Sequence, residues 1–371
     1  MKNVLVCGGG GIGEAVVVLL AKKFAGNCSI VVIEGNKRTL VNLKNTLINS
    51  SLDKNVVFKE VDFNFSLDAI ASNYDFIFDC LPGVFAPKVA QLAVKTGSNY
   101  INLTEYVAET NMIKDLVHGD ACGIVLQSGV APGYVNLLGL QLKKEVESEF
   151  KDFSFNTMEM KVGALPLHAS APHYYAFTWS PIGVATEYLK PAIALVDGAI
   201  KEVASLADIR ELVISGVRYE NAYTSGGVAD LPDELMNIFS NVNYQTMRYP
   251  GHFDWVNSVI KDEKLDTPED LLAYMSKYIP HVEDDFVLVY ASVDGHDQSG
   301  RYIKHERAMR VNSASINGVK LKAIQISTAI PMIVTAISVF ESGKKGIILQ
   351  SQLDCKAILS DDMVKEYFVV G

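Results

Sequence analysis

Hydrophobic and polar residues follow two different rhythms along the chain, and the change of rhythm divides it. In the first part, short apolar runs are followed by segments with apolar residues at helical spacing; the runs are 4–7, 29–33, 56–61, 75–81, 99–103 and 123–128. Such runs are typical of parallel strands that helices cover on both faces. The pattern predicts an α/β fold, a Rossmann-type doubly wound parallel sheet, over residues 1–132.

From residue 133 onward, apolar residues alternate with polar ones. The candidate strands are 153–162, 210–219, 242–248, 285–293 and 301–311, and a long hairpin connection at 294–300 separates the last two. Apolar residues alternate through Phe153 and Phe155 and then shift phase to Met158. Because few crossover helices separate these runs, the pattern predicts an inserted α+β domain, built on a mostly antiparallel sheet, over residues 133–322.

The most apolar stretch of the chain, residues 323–340, has the length of a membrane span. Gln325, Thr328 and Pro331 interrupt it, and no other segment supports insertion into a membrane. We expect a buried helix which, with the residues up to 371, returns to the first domain.

A glycine motif joins the first apolar run to the first helical segment. Gly8, Gly10 and Gly13 have the spacing G-x-G-x-x-G, with Gly11 and Ile12 inside it. In a dinucleotide-binding turn the first glycine permits a tight bend, the second lets the backbone approach a pyrophosphate, and the third lets the helix pack on the strand. The motif predicts a dinucleotide cofactor site.

Residues at the ends of the next apolar runs extend this site. Glu34 follows the last glycine by about 20 residues, where an acidic side chain binds the ribose hydroxyls of NAD. Arg38 is either a ligand for the 2′-phosphate of NADP or part of a solvated helical turn. Asp62, Leu81 and Pro82 are predicted cofactor residues, although Leu81 and Pro82 also fit a simple turn after a strand. We predict NAD and keep NADP as the alternative.

Composition narrows the class of protein. The 371 residues carry a net charge of −10 without a basic stripe, which argues against nucleic acid as a partner and favours a small-molecule substrate. The 5 cysteines show neither a C-x-x-C pair nor metal-ligand spacing with histidine, so we expect reduced, mostly buried thiols and no metal site. Met1 leads directly into the first apolar run. We therefore expect a cytoplasmic protein without a membrane partner.

Six motifs occur in a characteristic order: Leu81-Pro-Gly83, Gly129-Val-Ala-Pro-Gly133, Val162-Gly-Ala-Leu-Pro166, the segment 173–191, Tyr223-Thr-Ser-Gly-Gly227 and Met247-Arg-Tyr-Pro-Gly-His252. Through them the chain resembles the saccharopine dehydrogenase (glutamate-forming) and lysine 6-dehydrogenase family over nearly its whole length. The resemblance implies a nicotinamide-dependent oxidation of a carbon–nitrogen bond at the side-chain end of an amino acid, or the reverse reduction of an imine. It also implies cofactor in the first domain and substrate in the cleft between domains.

Two positions depart from the family pattern. Saccharopine reductases of the family typically carry an aspartate where this chain has Ala131, and a cysteine near Val162. Both changes remove polar groups that would meet saccharopine, so the exact substrate stays open.

The motifs also supply candidate site residues. Tyr106 resembles the tyrosine that family members place beside the substrate, and Trp179 resembles the tryptophan that lines their substrate pocket. Arg248 is our candidate for binding a substrate carboxylate, because a guanidinium can form two parallel hydrogen bonds with it; an inter-strand ion pair is the alternative. His173 and His252 are candidates for proton transfer near neutral pH, or else structural imidazoles.

Two further residues have weaker support. Thr224 opens the segment 224–227, whose amides fit either a carboxylate site or a plain turn. Glu105 is either a partner for a substrate ammonium group or an exposed loop residue.

Three functions remain open at this stage. The leading one is an NAD(P)-dependent oxidoreductase acting on the CH–NH group of a lysine-related amino acid, with saccharopine dehydrogenase-like and lysine 6-dehydrogenase-like reactions competing. A carboxynorspermidine dehydrogenase-like reductase of the polyamine pathway is the second. A non-catalytic dinucleotide sensor, suggested by Ala131, is the third. In each case we expect a homodimer formed through the antiparallel sheet.

Overall fold

The computed structural model describes residues 1–64, 67–104 and 107–371, with Val107 described through its backbone alone. These residues form two compact units. The first contains Met1–Gly133, Ala314–Leu321 and Gln325–Val364, and the second contains Tyr134–Ser313, Lys322–Ile324 and Lys365–Gly371.

The strands, numbered along the chain, are β1 (Asn3–Cys7), β2 (Ser29–Glu34), β3 (Val56–Glu60), β4 (Phe76–Asp79), β5 (Asn99–Asn102), β6 (Gly123–Val125), β7 (Ser154–Pro166), β8 (Ala192–Val196), β9 (Ala199–Val203), β10 (Arg210–Ile214), β11 (Val217–Tyr223), β12 (Asn241–Arg248), β13 (Asp285–His296), β14 (Tyr302–Asn312), β15 (Ala314–Ile316), β16 (Val319–Leu321), β17 (Gly346–Ile348) and β18 (Val369–Val370).

The helices are α1 (Gly11–Phe24), α2 (Lys37–Asn49), α3 (Ala86–Thr96), α4 (Val107–Leu116), α5 (Tyr134–Glu149), α6 (Pro181–Leu189), α7 (Leu231–Leu235), α8 (His252–Glu263), α9 (Pro268–Tyr278), α10 (Ala323–Ser342), α11 (Cys355–Leu359) and α12 (Asp362–Tyr367).

The first unit is built on a sheet in which the described strands follow the order β17-β6-β5-β4-β1-β2-β3, with every neighbouring pair parallel. The chain reverses its direction of winding at β1 and β4, which is the arrangement of a doubly wound sheet. Central strands such as β1 and β4 are buried because helices cover both faces. The predicted Rossmann-type sheet is confirmed, and β17 adds an edge strand that the apolar runs did not predict.

Helix α10 supplies part of the core of the first unit. Within the described residues it is the helix that is long and apolar enough to cross a membrane by length and composition, and 67% of its apolar window is buried. The Gln325 side chain donates a hydrogen bond from Nε2 to the carbonyl of Gly11 at 2.7 Å. The expected buried helix is therefore present, and its first turn contacts the glycine motif.

The second unit is built on a mixed sheet. Its described strands follow the order β10-β11-β12-β7-β13-β14-β18, and the hairpin of β8 and β9 joins through β12. Strands β7 and β12 are parallel, whereas the other pairs are antiparallel. The predicted α+β domain with a mostly antiparallel sheet is confirmed.

A β-bulge explains the change of phase in the first candidate strand of this unit. Strand β7 is continuous, but its pairing with β13 moves from Asp294 opposite Thr157 to Gly295 opposite Phe155. Asn156 is left out of the register, so the side chains before and after it change faces. The bulge requires a glycine on β13, because a Cβ at Gly295 would lie 2.1 Å from the carbonyl oxygen of Ser154.

Several predicted strand boundaries were wrong. The run 210–219 is a hairpin of β10 and β11 that turns at Ser215 and Gly216, both with positive φ. The connection between β13 and β14 is shorter than the predicted 294–300, because the two strands pair as far as His296 opposite Tyr302. Strand β6 ends before Gln127, whose φ of 58° interrupts the extended backbone.

The C-terminal segment also differs from the expected return of residues 323–371 to the first domain. Residues 365–371 belong to the second unit, where Val370 of β18 pairs with Met309 and the amide of Gly371 donates to the carbonyl of Ala308 at 3.0 Å. Strands β15 and β16, at 314–321, belong instead to the first unit. Main-chain pairing with β14, which apolar periodicity does not reveal, accounts for the placement of the last residues.

Candidate functional site: a dinucleotide turn and a buried arginine cluster

The glycine turn after β1 is closed by contacts that leave no room for side chains. Gly8 has a φ of +96°, and its amide donates to the carbonyl of Ile33 at 2.8 Å. A Cβ at Gly13 would lie 1.9 Å from the carbonyl oxygen of Gly8, and a Cβ at Gly8 would lie 3.0 Å from that of Cys80. Glycine is therefore required at the first and third positions of the motif.

The middle of the same turn faces open space. Gly10 is exposed, precedes the first residue of α1 and provides no side-chain cap, and no atom lies within 4 Å of a Cβ placed on it. Gly11, Ile12 and Gly13 form the first turn of α1. The first amides of a helix lack partners within the helix and attract anions. The turn therefore fits a pyrophosphate group.

Glu34 connects the glycine turn to the next helix. Its Oε2 accepts a hydrogen bond from the amide of Gly9, and its Oε1 accepts one from the amide of Asn36, each at 2.7 Å. The carboxylate thus lies at the end of β2, where it can also accept ribose hydroxyls. Arg38 is exposed in the first turn of α2, and its amide donates to the Asn36 side chain.

A cavity of about 610 Å³ lies at the ends of β2 and β3. Its lining consists of Gly35, Glu60, Val61, Asp62, Phe63, Asn64 and Phe85. The rings of Phe63 and Phe85 are 5.7 Å apart, and the Asp62 carboxylate accepts a hydrogen bond from the Asn64 amide at 2.8 Å. Aromatic walls with two exposed carboxylates, those of Glu60 and Asp62, fit the flat base and the hydroxyl groups of a nucleoside.

The segment after β4 completes this edge of the sheet. The amide of Leu81 donates to Asp79 Oδ1 at 3.1 Å, and the Leu81 side chain lies 3.2 Å from the Cβ position of Gly8. Pro82 follows and is exposed. The structure thus places the predicted cofactor residues at the carboxyl-terminal ends of β1 to β4, the edge at which doubly wound sheets bind ligands.

Arg248 occupies the core of the second unit, with 1% of its surface exposed. Its Nε donates to the hydroxyl of Tyr188 at 2.8 Å, and Nη1 donates to the carbonyl of Met247 at 2.9 Å. The guanidinium lies 4.7 Å from the ring centroid of Tyr175, and Nη2 lies 4.0 Å from Glu187 Oε2. Neighbouring aromatic rings and one carboxylate therefore balance a fully buried charge.

His252 lies in the same cluster, and its hydrogen bonds fix its protonation. Nδ1 lies 2.6 Å from the carbonyl of His173, which can only accept, so Nδ1 carries the proton. Nε2 therefore accepts from the hydroxyl of Tyr188 at 2.9 Å, and that hydroxyl also accepts from Arg248. Burial, together with the Arg248 charge, lowers the pKa of His252 to about 3. His252 is thus a neutral structural imidazole, and its candidacy for proton transfer near neutral pH was wrong.

His173 and Trp179 border this cluster. The His173 ring is buried, its Nδ1 accepts from the amide of Tyr175 at 3.4 Å, and it contacts the Trp255 ring edge to face with centroids 5.8 Å apart. Trp179 packs, partly exposed, against the apolar cluster that contains Tyr175 and Tyr188. The structure therefore brings both residues close to Arg248 within the second unit.

Thr224 is fully buried, and its hydroxyl pairs with that of Thr246 at 2.7 Å. The amide of Ser225 donates to the carbonyl of Glu187 at 3.1 Å, so this part of the segment 224–227 is already engaged within the protein. Tyr106 and Glu105 lie outside the described residues.

Two residues of the cluster were missed at the sequence level as partners of Arg248. Tyr188 lies in the motif 173–191, but nothing in the sequence connects it to an arginine 60 residues away. Glu220 pairs in register with Arg248 and accepts hydrogen bonds from the amides of Gly251 and Phe253 at 2.9 and 2.6 Å. It therefore fixes the turn that follows Arg248, and no sequence motif indicates this role.

The cysteines are free thiols; four are buried and Cys80 is partly exposed, as expected. Within the residues 1–64, 67–104 and 107–371, no group of three or more His, Cys, Asp and Glu side chains is arranged to hold a metal ion.

Comparison with protein families gives two matches that together span most of the chain. Residues 4–118 match the saccharopine dehydrogenase NADP binding domain, and residues 129–366 match the saccharopine dehydrogenase C-terminal domain. The first match contains the glycine turn, Glu34, Asp62 and Leu81, and the second contains the arginine cluster.

Relatives among curated proteins are distant. The mitochondrial alpha-aminoadipic semialdehyde synthase of Rattus norvegicus is 24% identical over 213 residues, which cover 54% of this chain and 21% of the relative. The enzyme of the same name from Bos taurus is 24% identical over 209 residues, with the same two shares. The chain thus spans about a fifth of the length of the curated relatives it matches.

Two solved structures share the fold over the whole chain. Apo saccharopine dehydrogenase (L-Glu forming) from Saccharomyces cerevisiae has a TM-score of 0.78 at 15% identity, covering 100% of this chain and 99% of that one. Homospermidine synthase from Legionella pneumophila, in complex with NAD, has a TM-score of 0.66 at 16% identity, covering 100% and 90%. At these identities the similarity establishes the fold.

Proposed function

Because the chain belongs to the saccharopine dehydrogenase family, we propose that it is an NAD(P)-dependent oxidoreductase acting on the CH–NH group of a lysine-related amino acid. The observation that carries the proposal is the glycine turn. Contacts that only glycine permits close it at both ends, and its middle is open, within the region that matches the family's NADP binding domain. The nicotinamide supplies hydride exchange, and the protein binds and orients the reactants.

We propose NAD as the preferred dinucleotide. Glu34 places a carboxylate at the end of β2, where it favours ribose hydroxyls and disfavours a 2′-phosphate. The expected result is tighter binding of NADH than of NADPH, measured by nicotinamide fluorescence. Glu34→Gln should reduce that preference, because it removes the charge and keeps the shape.

The alternative cofactor, NADP, is tested with Arg38→Ala, and Lys37→Ala serves as the control. If Arg38→Ala alone loses NADPH binding, Arg38 binds the 2′-phosphate.

Arg248 stays our proposal for binding the substrate carboxylate. Its Nε and Nη1 make hydrogen bonds within the protein, the guanidinium is 1% exposed, and Nη2 lies 4.0 Å from Glu187 Oε2. This geometry matches the alternative of an internal ion pair, so binding of a substrate carboxylate requires Glu187 to move away from Nη2. Tyr106 and His173 are proposed to act on the substrate nitrogen, and Tyr106→Phe and His173→Ala test these roles.

The substrate is tested by the absorbance of reduced nicotinamide with lysine, saccharopine and carboxynorspermidine, each offered with NAD and with NADP. A rise with lysine or saccharopine would support the lysine-related class and choose the branch. A rise with carboxynorspermidine alone would replace it with the polyamine class. Dinucleotide binding without turnover on any of the three would favour the sensor.

We also propose a homodimer formed through the sheet of the second unit. Lys304 and Glu306 lie two residues apart on one face of β14, both side chains are partly exposed, and within one chain they form an ion pair at 3.2 Å, which a dimer would exchange for pairs between chains. A two-fold axis between the β14 strands of two protomers would place Lys304 of each protomer against Glu306 of its partner.

Light scattering should give twice the mass of one chain. Lys304→Glu should shift the mass towards that of one chain, and Lys304→Glu with Glu306→Lys should restore it; a single-chain mass for the wild type would refute the dimer.

A further inference from the structure

Asp79 is a buried carboxyl at the carboxyl-terminal end of β4, and the roles proposed above do not use it. Its side chain is 2% exposed, and its register partners are Cys7 on β1 and Asn102 on β5. Oδ2 accepts a hydrogen bond from the Tyr100 hydroxyl at 2.8 Å, and Oδ1 accepts one from the Leu81 amide at 3.1 Å. The carboxyl therefore connects the middle of the sheet to the segment between β4 and α3.

That segment forms part of the wall of the dinucleotide site at both of its ends. Leu81 lies against the Cβ position of Gly8, and Phe85 lines the cavity at the ends of β2 and β3. The Tyr100 hydroxyl lies 3.4 Å from the carbonyl of Ala86, the first residue of α3. Asp79 thus contacts Leu81 near the start of the segment, and Tyr100 contacts Ala86, which directly follows its last residue.

The hydrogen bonds between Asp79 and Tyr100 depend on whether the Asp79 carboxyl is protonated. Burial raises the pKa of Asp79 to about 7, although the Tyr100 hydroxyl and the Leu81 amide both favour the carboxylate. The other groups that face it are the thiols of Cys7 and Cys80, whose pKa values burial also raises. As a carboxylate, Asp79 accepts from both partners. As an acid, it donates to the Tyr100 oxygen, whose own hydrogen then turns towards the start of α3.

We propose that Asp79 and Tyr100 are positioning residues that hold the segment between β4 and α3 in the conformation that binds the dinucleotide. They act through Leu81 and Phe85 and do not themselves touch the cofactor. The inference rests on the proposed dinucleotide site and adds to it a support for the segment that forms part of its wall.

The first test measures NADH affinity of the full chain by fluorescence between about pH 6 and 8, a range that spans the titration of Asp79. Tyr100→Phe should bind about tenfold more weakly, because Asp79, which accepts from the Leu81 amide, loses the hydrogen bond that Tyr100 donates to its other oxygen. We expect the affinity of the wild type to depend on pH around pH 7, and Asp79→Asn should remove that dependence. Tyr74→Phe is the matched control, since the Tyr74 hydroxyl donates to the carbonyl of Ile70 at 3.0 Å in the same unit.

The second test follows amide hydrogen exchange in the protein without dinucleotide. We expect faster exchange at Leu81 and through the segment in Asp79→Asn and Tyr100→Phe, and unchanged exchange in Tyr74→Phe. Affinity and exchange in Tyr100→Phe equal to those of the control would overturn the proposal. A wild type that binds neither NADH nor NADPH would refute the proposed function, and the exchange result would then support or overturn the positioning role by itself.

Discussion

At Gly13 and Gly10 the same substitution meets opposite surroundings. A methyl group at Gly13 would overlap the Gly8 carbonyl at 1.9 Å, whereas one at Gly10 would meet no atom within 4 Å. We expect Gly13→Ala to lower the free energy of unfolding by about 1–3 kcal/mol through overpacking, and to weaken dinucleotide binding. Gly10→Ala should leave stability within about 0.5 kcal/mol of the wild type and weaken binding alone.

Denaturant unfolding and NADH titration of the two variants check this contrast. Equal stability losses at Gly10 and Gly13 would contradict the contacts of the turn. Full affinity in Gly10→Ala would show that the pyrophosphate does not approach the open side of the turn.

The Tyr188 hydroxyl accepts from Arg248 and donates to His252, so it holds two buried polar groups at once. Tyr188→Phe leaves the Arg248 Nε–H without this acceptor, and the desolvation of a charged group is then uncompensated. We expect the free energy of unfolding to fall by about 2–4 kcal/mol. Tyr278→Phe, at a tyrosine 55% exposed in the same unit, is the control and should be neutral. A loss below about 1 kcal/mol for Tyr188→Phe would show that Arg248 finds another acceptor.

At the residue scale, local chemistry could be predicted and long-range partners could not. The positions of Gly8 and Gly13 follow from spacing alone, because only glycine permits the bend and the close approach. The partners of Arg248 come from α6 and β11, far away in the chain, and any buried polar residue would have been an equal candidate. The role of Glu34 as an acceptor for two backbone amides was also not visible, since it depends on the folded turn.

At the element scale, the apolar pattern located the strands of the second unit better than it located their turns. The change of phase before Met158 corresponds to the bulge at Asn156. In the run 210–219 apolar residues resume directly after Ser215 and Gly216, so the hairpin within it was missed. Two further hairpins turn at Asp-Gly and Asn-Gly pairs with positive φ, at 197–198 and 317–318, where turn chemistry outweighs periodicity.

Helix α10 begins on a carboxylate supplied by a strand. The amides of Ala323 and Ile324 donate to the two oxygens of Asp285 at 2.7 and 3.0 Å, which satisfies helix-start amides that lack partners within the helix. We expect Asp285→Ala to lower the free energy of unfolding by about 1–2 kcal/mol, measured with denaturant. Glu283→Ala is the control, since Glu283 is 73% exposed and pairs with Lys322. Equal effects of the two substitutions would contradict a capping role.

At the scale of the whole molecule, each unit contains a buried group whose shifted pKa matters between acid and neutral pH. In the first unit the pKa of Asp79 is raised to about 7, and in the second the pKa of His252 is lowered to about 3, with burial as the main cause in both. A group whose pKa is higher in the folded than in the unfolded protein makes the protein less stable as the pH rises. A group whose pKa is lower in the folded protein makes it less stable as the pH falls. The contributions of Asp79 and His252 to stability should therefore respond to pH in opposite directions.

Between about pH 4 and 7, unfolded Asp79 has lost its proton while folded Asp79 still holds it, so its contribution decreases as the pH rises. Between about pH 6.5 and 3, unfolded His252 binds a proton that the folded protein excludes, so its contribution decreases as the pH falls. In the first unit, Asp79 makes the free energy of unfolding decrease as the pH rises, and we expect Asp79→Asn to remove at most about 4 kcal/mol of that decrease. In the second unit, His252→Asn should reduce the decrease in the free energy of unfolding that His252 causes as the pH falls.

Amide hydrogen exchange resolved by unit, over about pH 4 to 7, separates the two effects because each variant is compared with the wild type at the same pH. Each variant should change the pH dependence of its own unit, and the unit without the substitution serves as the internal control. A pH dependence left unaltered by Asp79→Asn would mean that folded Asp79 ionises near its ordinary pKa. The Tyr100 hydroxyl would then face a permanent carboxylate, and dinucleotide affinity around pH 7 would not follow its protonation.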